Sequence, residues 1–582
     1  MPEGIMTSVI DATRQERERI EDARNRSRYF MFGKVDERED SHGYSATFEH
    51  VPQRVSRDAR WAAIQGTPAL FKMGDIFVPG LMELSSRGVR VSIRAADMSR
   101  LGVGPEIIRR NCDIGIDYVM DNRDLMDQLL AFLESRKHVA NPFLEVLVQS
   151  AAPVPMQPIA RPISYPDLNL SQEAAIEKAL RQKATFFWGP PGTGKTKTMG
   201  ALAASLIQNG KRVLLTALSN MALDQFLLMT LERLRSASVN TSIARLGSTM
   251  DDNCLPYSRK EFDRSTFRGI RKGARWSDHV KYAALVAGNF AMLSFPRAAS
   301  PGQFDYVIAD EVSMANIPSL VVASFFAKAG MVVGGDPFQL PPIYPEDAEE
   351  PNEWFRANVF EKAGVTERSD ERTAFLDTQY RMQEEIGDLV SQMFYDGQLK
   401  TGTESLAALD GLGGRIVFIN SPGRVEMVGT QSLDSEEQRR FNDAHAESAG
   451  KAVLMALRRG VQGSDIGVIA PYNAQVVKIV QRVREVCRGA GVDGSEVKVS
   501  TIHSFQGQER RVIIVDFTDD NVRPTRLTAK WELINVALSR AKEHLILIGN
   551  RDYLLNEDYF SRRETEVFRR MLERARVCVW KS

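Results

Sequence analysis

The residues best suited to chemistry are Gly189, Pro190, Pro191, Gly192, Thr193, Gly194, Lys195 and Thr196, which carry the spacing G-x-x-x-x-G-K-T. Glycines so placed let backbone N–H groups turn inward around phosphate oxygens at a helix start. Lys195 would reach the terminal phosphates and Thr196 would hold Mg²⁺. A Gly-rich turn is the bland alternative, but the apolar ATFFW before the loop and the helical run after it supply the context a phosphate cradle needs. The segment FDYVIADE (304–311) ends an apolar run in two acids. There Asp310 would hold the metal through water, and Glu311 would polarise an attacking water as general base. Alone, that segment reads equally as a strand end with solvated carboxylates; beside Lys195 it gains weight. Charge spread over phosphate oxygens in a transition state also favours cations supplied across a cleft. Arg381 in LDTQYRM and Arg540 in INVALSRAKEH sit in settings that suit this role, although either alone reads as a surface ion pair.

The elements that must position these groups alternate strand-like and helical runs: ATFFW, KTKTMGALAASLIQ, RVLLTAL, MALDQFLLMTLERL, and later DIGVIAP, RRVIIVDF and HLILIGN. Such alternation predicts an α/β class with parallel sheets covered by helices. Upstream, residues 9–30 predict a helix charged nearly all round, with Val9, Ile10, Ile20, Tyr29 and Phe30 for packing. Short apolar segments from about 44 to 120 predict a small β-barrel, and 121–137 a second helix. Pro153, Pro155, Pro158, Pro162 and Pro166 mark a stiff linker, and PPIYPEDAEEPNEW (341–354) a second one. The expected domains are therefore 1–150 (helices and barrel), 151–167 (linker), 168–345 (first α/β domain) and 346–582 (second α/β domain).

At 582 residues several cores are expected. The 43% hydrophobic and 26% charged composition belongs to a globular protein, not a disordered or fibrous one. Seventy-five basic and 75 acidic residues cancel, so affinity for a polyanion must come from a local groove. Cys112, Cys254, Cys487 and Cys578 are scattered singly, with no C-x-x-C pair to begin a zinc or iron–sulfur site. Thiols of that kind suit a reducing compartment. With no signal-like N-terminus and no apolar run long enough to span a bilayer, a cytoplasmic protein without a membrane partner is expected.

GPPGTGKT, ADEVS, VVGGDPFQLPP, LDTQYRM, VSTIHSFQGQERRVIIVD and INVALSRAKEHLILIGN stand in the order and approximate spacing of superfamily 1 helicase motifs. The set resembles the superfamily 1B group typified by the up-frameshift RNA helicase and the immunoglobulin-mu-binding helicase, strongly over about 168–550. The resemblance implies two RecA-like P-loop domains preceded by a small β-barrel on stalk helices. It also implies ATP with Mg²⁺, and a monomer acting on single-stranded and duplex nucleic acid. By resemblance Gln172 contacts adenine, Tyr380 stacks on the base, Gln339 senses the γ-phosphate, Glu509 binds ribose, and Arg381 and Arg540 reach phosphates. Two alternatives stay open: LSQEAA also reads as a helix start capped by Ser171 with Gln172 exposed, and Tyr380 also reads as a core aromatic. The strand contacts implied are Ser219, Asn220, Pro471, Tyr472, Thr501 and His503, directed mainly at the backbone. His503 alone is more often structural. Val312-Ser313 after the acids, and LSNMALD in place of PSN-x-A-x-D, depart from the group where ATP state and strand contacts communicate. No cysteine-rich regulatory domain or cluster-binding nuclease is evident in the sequence, so those activities are not carried over.

One region is independent of the resemblance. RKEFDRSTFRGIRKGARW (259–276) holds seven basic residues against two acids, with Phe262, Phe267 and Trp276 interleaved. Arg268, Arg271, Lys272 and Arg275 there become candidates for phosphate contact, with a solvated loop of local ion pairs as the bland alternative. The sequence thus points to an ATP-dependent helicase or translocase acting on a single strand of DNA or RNA, with a 5′ to 3′ direction implied by the resemblance alone. The alternatives are an ATP-switched clamp or protein-displacing remodeller with little unwinding, and an adaptor with a vestigial ATPase.

Overall fold

The computed structural model describes residues 2–21, 28–40, 43–50, 67–73, 76–85, 88–101, 103–114, 116–120, 123–156, 165–267, 274–295, 300, 302–342, 344, 352–409, 414–427, 440–505, 507–524 and 530–578. The chain divides into two compact units, Met1–Asn25 with Asn122–Thr378, and Arg26–Asp121 with Gln379–Ser582.

In the first unit, helices Pro2–Glu21 and Arg123–Ser135 pair. Ile5, Met6, Val9 and Ile10 share a core with Met126, Leu129 and Leu133. Salt bridges at the surface, Arg14–Glu134 at 2.8 Å and Arg17–Asp127 at 2.9 Å, flank that seam. The first helix therefore ends well before residue 30. Tyr29 and Phe30 instead pair with Tyr118 and Asp117 in a strand ladder, because the run Tyr29-Phe30-Met31-Phe32 has the aromatic content of a strand and none of the charged periodicity of the helix before it.

Those residues open a six-stranded closed barrel: β1 (Arg28–Asp40), β2 (Gly43–His50), β3 (Thr67–Met73), β4 (Ile76–Ser85), β5 (Gly88–Arg94) and β6 (Ile116–Met120), in the order β1-β2-β5-β4-β3-β6. Period-two burial of Tyr44, Ala46 and Phe48, and of Val91 and Ile93, fills the interior.

The first unit's sheet has seven parallel strands in the order β13-β7-β12-β11-β8-β10-β9: β7 (Ala184–Trp188), β8 (Val213–Ala217), β9 (Ile243–Arg245), β10 (Leu285–Ala287), β11 (Phe304–Asp310), β12 (Ala327–Gly335) and β13 (Thr373–Phe375). Both faces are covered, so β7 and β8 are buried along their whole length, as near-continuous apolar strands require. Phe187 and Leu215 face helices Lys195–Gln208 and Asn220–Ser236, while Phe186 and Leu214 face the opposite core.

The boundary expected at 345 falls inside this unit. After the Pro/Glu-rich stretch, helix Val359–Lys362 returns Phe360 to within 5.5 Å of the Phe186 ring, and β13 then pairs with β7. Composition there did not mark the unit's border, which falls at Thr378.

The second unit's sheet has six parallel strands in the order Lys498–Thr501, Ile466–Ala470, Arg510–Asp516, Ala541–Gly549, Ile416–Asn420, Arg576–Cys578. Helices Asp443–Arg458 and Asn473–Ala490 cover one face through Ala446, Ala449, Val453, Ile479 and Val483. Among the described residues no helix is long and apolar enough to cross a membrane, and no group of three or more His, Cys, Asp or Glu side chains could hold a metal ion.

Candidate nucleotide site and strand-contact residues

The phosphate loop leaves β7 at Gly189 and ends where helix Lys195–Gln208 begins. Gly192 (φ 76°) and Gly194 (φ 73°) take the left-handed backbone that side chains disfavour. A Cβ on Gly189 would lie 2.7 Å from Lys195 Cβ, and one on Gly194 would lie 2.8 Å from Gln172 Nε2. Glycine is thus required where the loop packs against Lys195 and Gln172, and its left-handed turns suit the backbone of a phosphate cradle. Thr193 braces the turn, its hydroxyl donating to Pro190 O at 2.8 Å.

Gln172 is buried, not exposed at the helix start, and its Nε2 donates to Thr193 O at 2.9 Å. The helix cap is Asn169 and not Ser171. Asn169 Oδ1 accepts from Gln172 N at 2.9 Å while Gln172 Oε1 accepts from Asn169 N at 3.0 Å, a reciprocal capping box. One side chain thereby ties the helix start to the loop.

Lys195 Nζ donates to Asp310 Oδ1, and Thr196 Oγ1 donates to Asp310 Oδ2 at 2.6 Å. Asp310 ends β11 and is buried. Burial by itself would lower the Lys195 pKa, but Asp310 and Glu311, with Asp336 behind them, hold it above the ordinary lysine value. A lysine raised in the folded state stays charged at neutral pH, and its contribution is lost only as pH climbs through that raised value. A hydroxyl and a carboxylate oxygen 2.6 Å apart are hard oxygen donors of the kind Mg²⁺ takes. The donor set fits that ion, and the glycine-lined hollow fits phosphates.

Glu311 has φ 58° and ψ 33°, and its N–H donates to Asp310 Oδ1 at 2.8 Å. A left-handed glutamate costs on the order of 1–3 kcal/mol, strain of a kind that gathers at functional sites. Asp336, after β12, is a site residue that sequence reasoning passed over. It is buried, and it accepts from Trp188 Nε1 (3.1 Å), Phe338 N (3.1 Å) and Gln339 Nε2 (2.9 Å), which fixes Gln339 at the strand end. Its signal was present in GDPFQL, an acid directly after an apolar strand.

In the second unit, Arg381 Nε donates to Glu509 Oε2 at 2.5 Å and Arg381 Nη1 to Ser539 O at 3.0 Å, while Lys542 Nζ lies 2.6 Å from Glu509 Oε1. Burial alone would raise the Glu509 pKa, but Arg381 and Lys542 carry it below the usual carboxylate value. Arg540 is buried, with Nε donating to Val536 O at 3.2 Å. Tyr380 is 47% exposed and so is not a core aromatic.

Among the candidate strand contacts, Ser219 caps helix Asn220–Ser236, its Oγ accepting from Ala222 N at 3.1 Å. Asn220 Oδ1 accepts from Arg245 Nη2 (3.1 Å) and from Asn289 Nδ2 (3.0 Å). Arg245 is fully buried and paired with Asp224 at 2.7 Å, and Asp224 also accepts from the amides of Met250 and Asp251. Breaking a buried pair of this kind costs on the order of 3–5 kcal/mol. The run LSNMALD thus carries its own anchor, Asp224, whose partner lies too far along the chain for spacing to reveal.

Tyr472 is corrected. Its ring is buried and its hydroxyl donates to Asp519 Oδ2 at 2.6 Å, and Pro471 is buried as well, so neither side chain offers a face to a strand. Thr501 ends its strand half-buried, and His503 falls in helix Ile502–Phe505 with its side chain outside the described residues. Arg268, Arg271 and Lys272 also lie outside the described residues, while Arg275 is exposed at the start of helix Trp276–Tyr282. Phe262, one of the aromatics interleaved in 259–276, is buried against Trp276 and His279 at ring separations of 5.4 and 5.2 Å.

Two parallel sheets, the first with a glycine-lined phosphate loop facing a strand-end Asp-Glu pair, define an α/β P-loop NTPase of the two-domain RecA-like kind. Two family models, each described as an AAA domain, match residues 167–274 and 356–552. The DNA replication ATP-dependent helicase/nuclease dna2 of Schizosaccharomyces pombe is 27% identical over 421 residues, covering 68% of this chain and 28% of that protein. The DNA2 protein of Mus musculus is 29% identical over 412 residues (66% and 37%). The DNA polymerase alpha-associated DNA helicase A of S. pombe is 28% identical over 438 residues (66% and 64%). The chain thus spans less than two thirds of the length of each of these relatives. A solved DNA complex of the arterivirus nonstructural protein 10 helicase aligns over 66% of this chain and 63% of that one, at 14% identity and a TM-score of 0.34, too shallow a likeness to carry an argument. The chain belongs to the superfamily 1B helicases of the up-frameshift-like group.

Proposed function

We propose that this chain is a Mg²⁺-dependent, strand-stimulated ATPase that moves 5′ to 3′ along single-stranded nucleic acid and separates duplexes. The observation that carries the reading is the convergence of Lys195 and Thr196 on Asp310, with Glu311 held beside them by its own strained backbone. The names of the relatives make DNA the first track to test. The reading includes a monomer in the cytoplasm, which four free cysteines suit.

In this reading the loop amides and Lys195 bind the β- and γ-phosphates, and Gln172 and Tyr380 receive the adenine. Thr196 and Asp310 would hold Mg²⁺, which neutralises charge developing between the β- and γ-phosphates. Glu311 takes the proton of the attacking water, with Gln339, steadied by Asp336, set to register the γ-phosphate. Glu509 receives the ribose, and Arg381 and Arg540 supply positive charge to the transition state. Ser219, Asn220, Thr501 and His503 contact the strand backbone.

The test is ATP hydrolysis with and without single-stranded DNA or RNA. A Mg²⁺-dependent rate that rises when strand is added is expected. A rate indifferent to both nucleic acids would remove the motor reading and leave a plain NTPase.

A further inference from the structure

A cavity of about 600 Å³ opens at the edge of the first sheet, against the edge strand β9, five strands from the β7 that leads into the phosphate loop. Its wall contains five rings, Tyr257, Phe262, Trp276, His279 and Tyr282, together with Arg275. That volume lies within the range of small-ligand sites.

The rings come ready assembled. Phe262, Trp276 and His279 stand 5.2 to 5.5 Å apart, and His279 Nε2 is fixed at 2.8 Å from Ile243 O. Buried Phe262 supports the others, so Trp276, half-buried, is held without needing a ligand to order it. Tyr282 is 71% exposed, the most exposed tyrosine among the described residues, and the Lys281 ammonium lies 5.4 Å from its ring centroid. Arg275 is exposed, and Arg235 Nη2 donates to the Tyr257 hydroxyl at 3.3 Å. The wall itself holds Arg275 and one acid, Asp278, also exposed, while Lys281 and Arg235 stand beside the Tyr282 ring and the Tyr257 hydroxyl.

Rings prefer a flat π-partner, and the cations beside them prefer an anion. An unstacked base carrying its phosphate offers both at once, whereas an apolar peptide would leave Arg275 unused.

We propose that this cavity is a secondary strand site, taking one unstacked nucleotide of a single strand between Tyr282 and Trp276 with its phosphate on Arg275. The proposal rests on the strand-binding reading above and adds a contact outside the family's motifs. It also changes the role of the 259–276 segment: Phe262 supports the pocket and does not itself stack.

The test uses the full chain and a fluorescein-labelled oligothymidylate. The Tyr282→Ala/Arg275→Gln variant is first matched to wild type in thermal melting midpoint. Binding about tenfold weaker is expected, the scale of one lost base stack, together with a smaller salt dependence. An iododeoxyuridine-substituted strand should cross-link wild type within the peptides holding Tyr257, Trp276 or Tyr282. Unchanged affinity, or adducts confined to other peptides, overturns the pocket and leaves the motor intact. A wild-type chain that binds no strand overturns both readings.

Discussion

Lys195→Ala protein is expected to lose ATP turnover by at least about 10²–10³-fold, the scale of removing one preorganised donor from developing phosphate charge. The loss has a second source. Lys195 is the cation that compensates the buried Asp310, so its removal leaves that carboxylate with the Thr196 hydroxyl and the Glu311 amide as hydrogen-bond donors among the described residues. Without that cation, the carboxylate loses the contact that positions one of the two oxygens proposed to hold the metal. The measurement is phosphate release at saturating single strand and ATP. A near-normal rate would show that the glycine loop is a structural turn.

Glu311→Gln should behave differently. The amide keeps the size of the side chain and imposes no new backbone demand at φ 58°, so the loop, Lys195 and Asp310 stay as they are. What is lost is the base that takes the water's proton, a contribution of about 10²–10⁴-fold. The variant should therefore bind ATP like wild type and fail to hydrolyse it. Nucleotide retention on a filter, set beside single-turnover hydrolysis, separates the two. Hydrolysis at the wild-type rate would move the base elsewhere, and loss of ATP binding would make Glu311 a structural residue.

How much of this could be read in advance followed the range of the interactions. The loop and the strand-end acids are local patterns, set by a few consecutive residues, and the geometry joins them through Lys195, Thr196 and Asp310. The alternation of apolar and amphipathic runs likewise pointed to parallel sheets, and two are present. What sequence could not show was pairing across distance. Arg245 reaches Asp224 and Asn220, Trp188 reaches Asp336, and Arg381 shares Glu509 with Lys542; none has a fixed spacing to betray it. Burial was equally opaque. Tyr472 and Tyr380 are both tyrosines beside motif residues, yet one is sealed against Asp519 and the other is open to solvent. Boundaries failed where composition misled. The acidic, proline-bearing stretch before Glu353 resembled a linker, yet the chain after it completes the first sheet with Thr373–Phe375.

The central claim is that ATP hydrolysis on this chain drives strand separation, and displacement of a labelled strand from matched DNA and RNA duplexes with a 5′ or a 3′ tail tests it most directly. The account predicts ATP-dependent displacement from 5′-tailed duplexes, none from 3′-tailed ones, and none with Lys195→Ala. Strand-stimulated hydrolysis without displacement of any duplex would contradict it and favour a nucleotide-switched clamp.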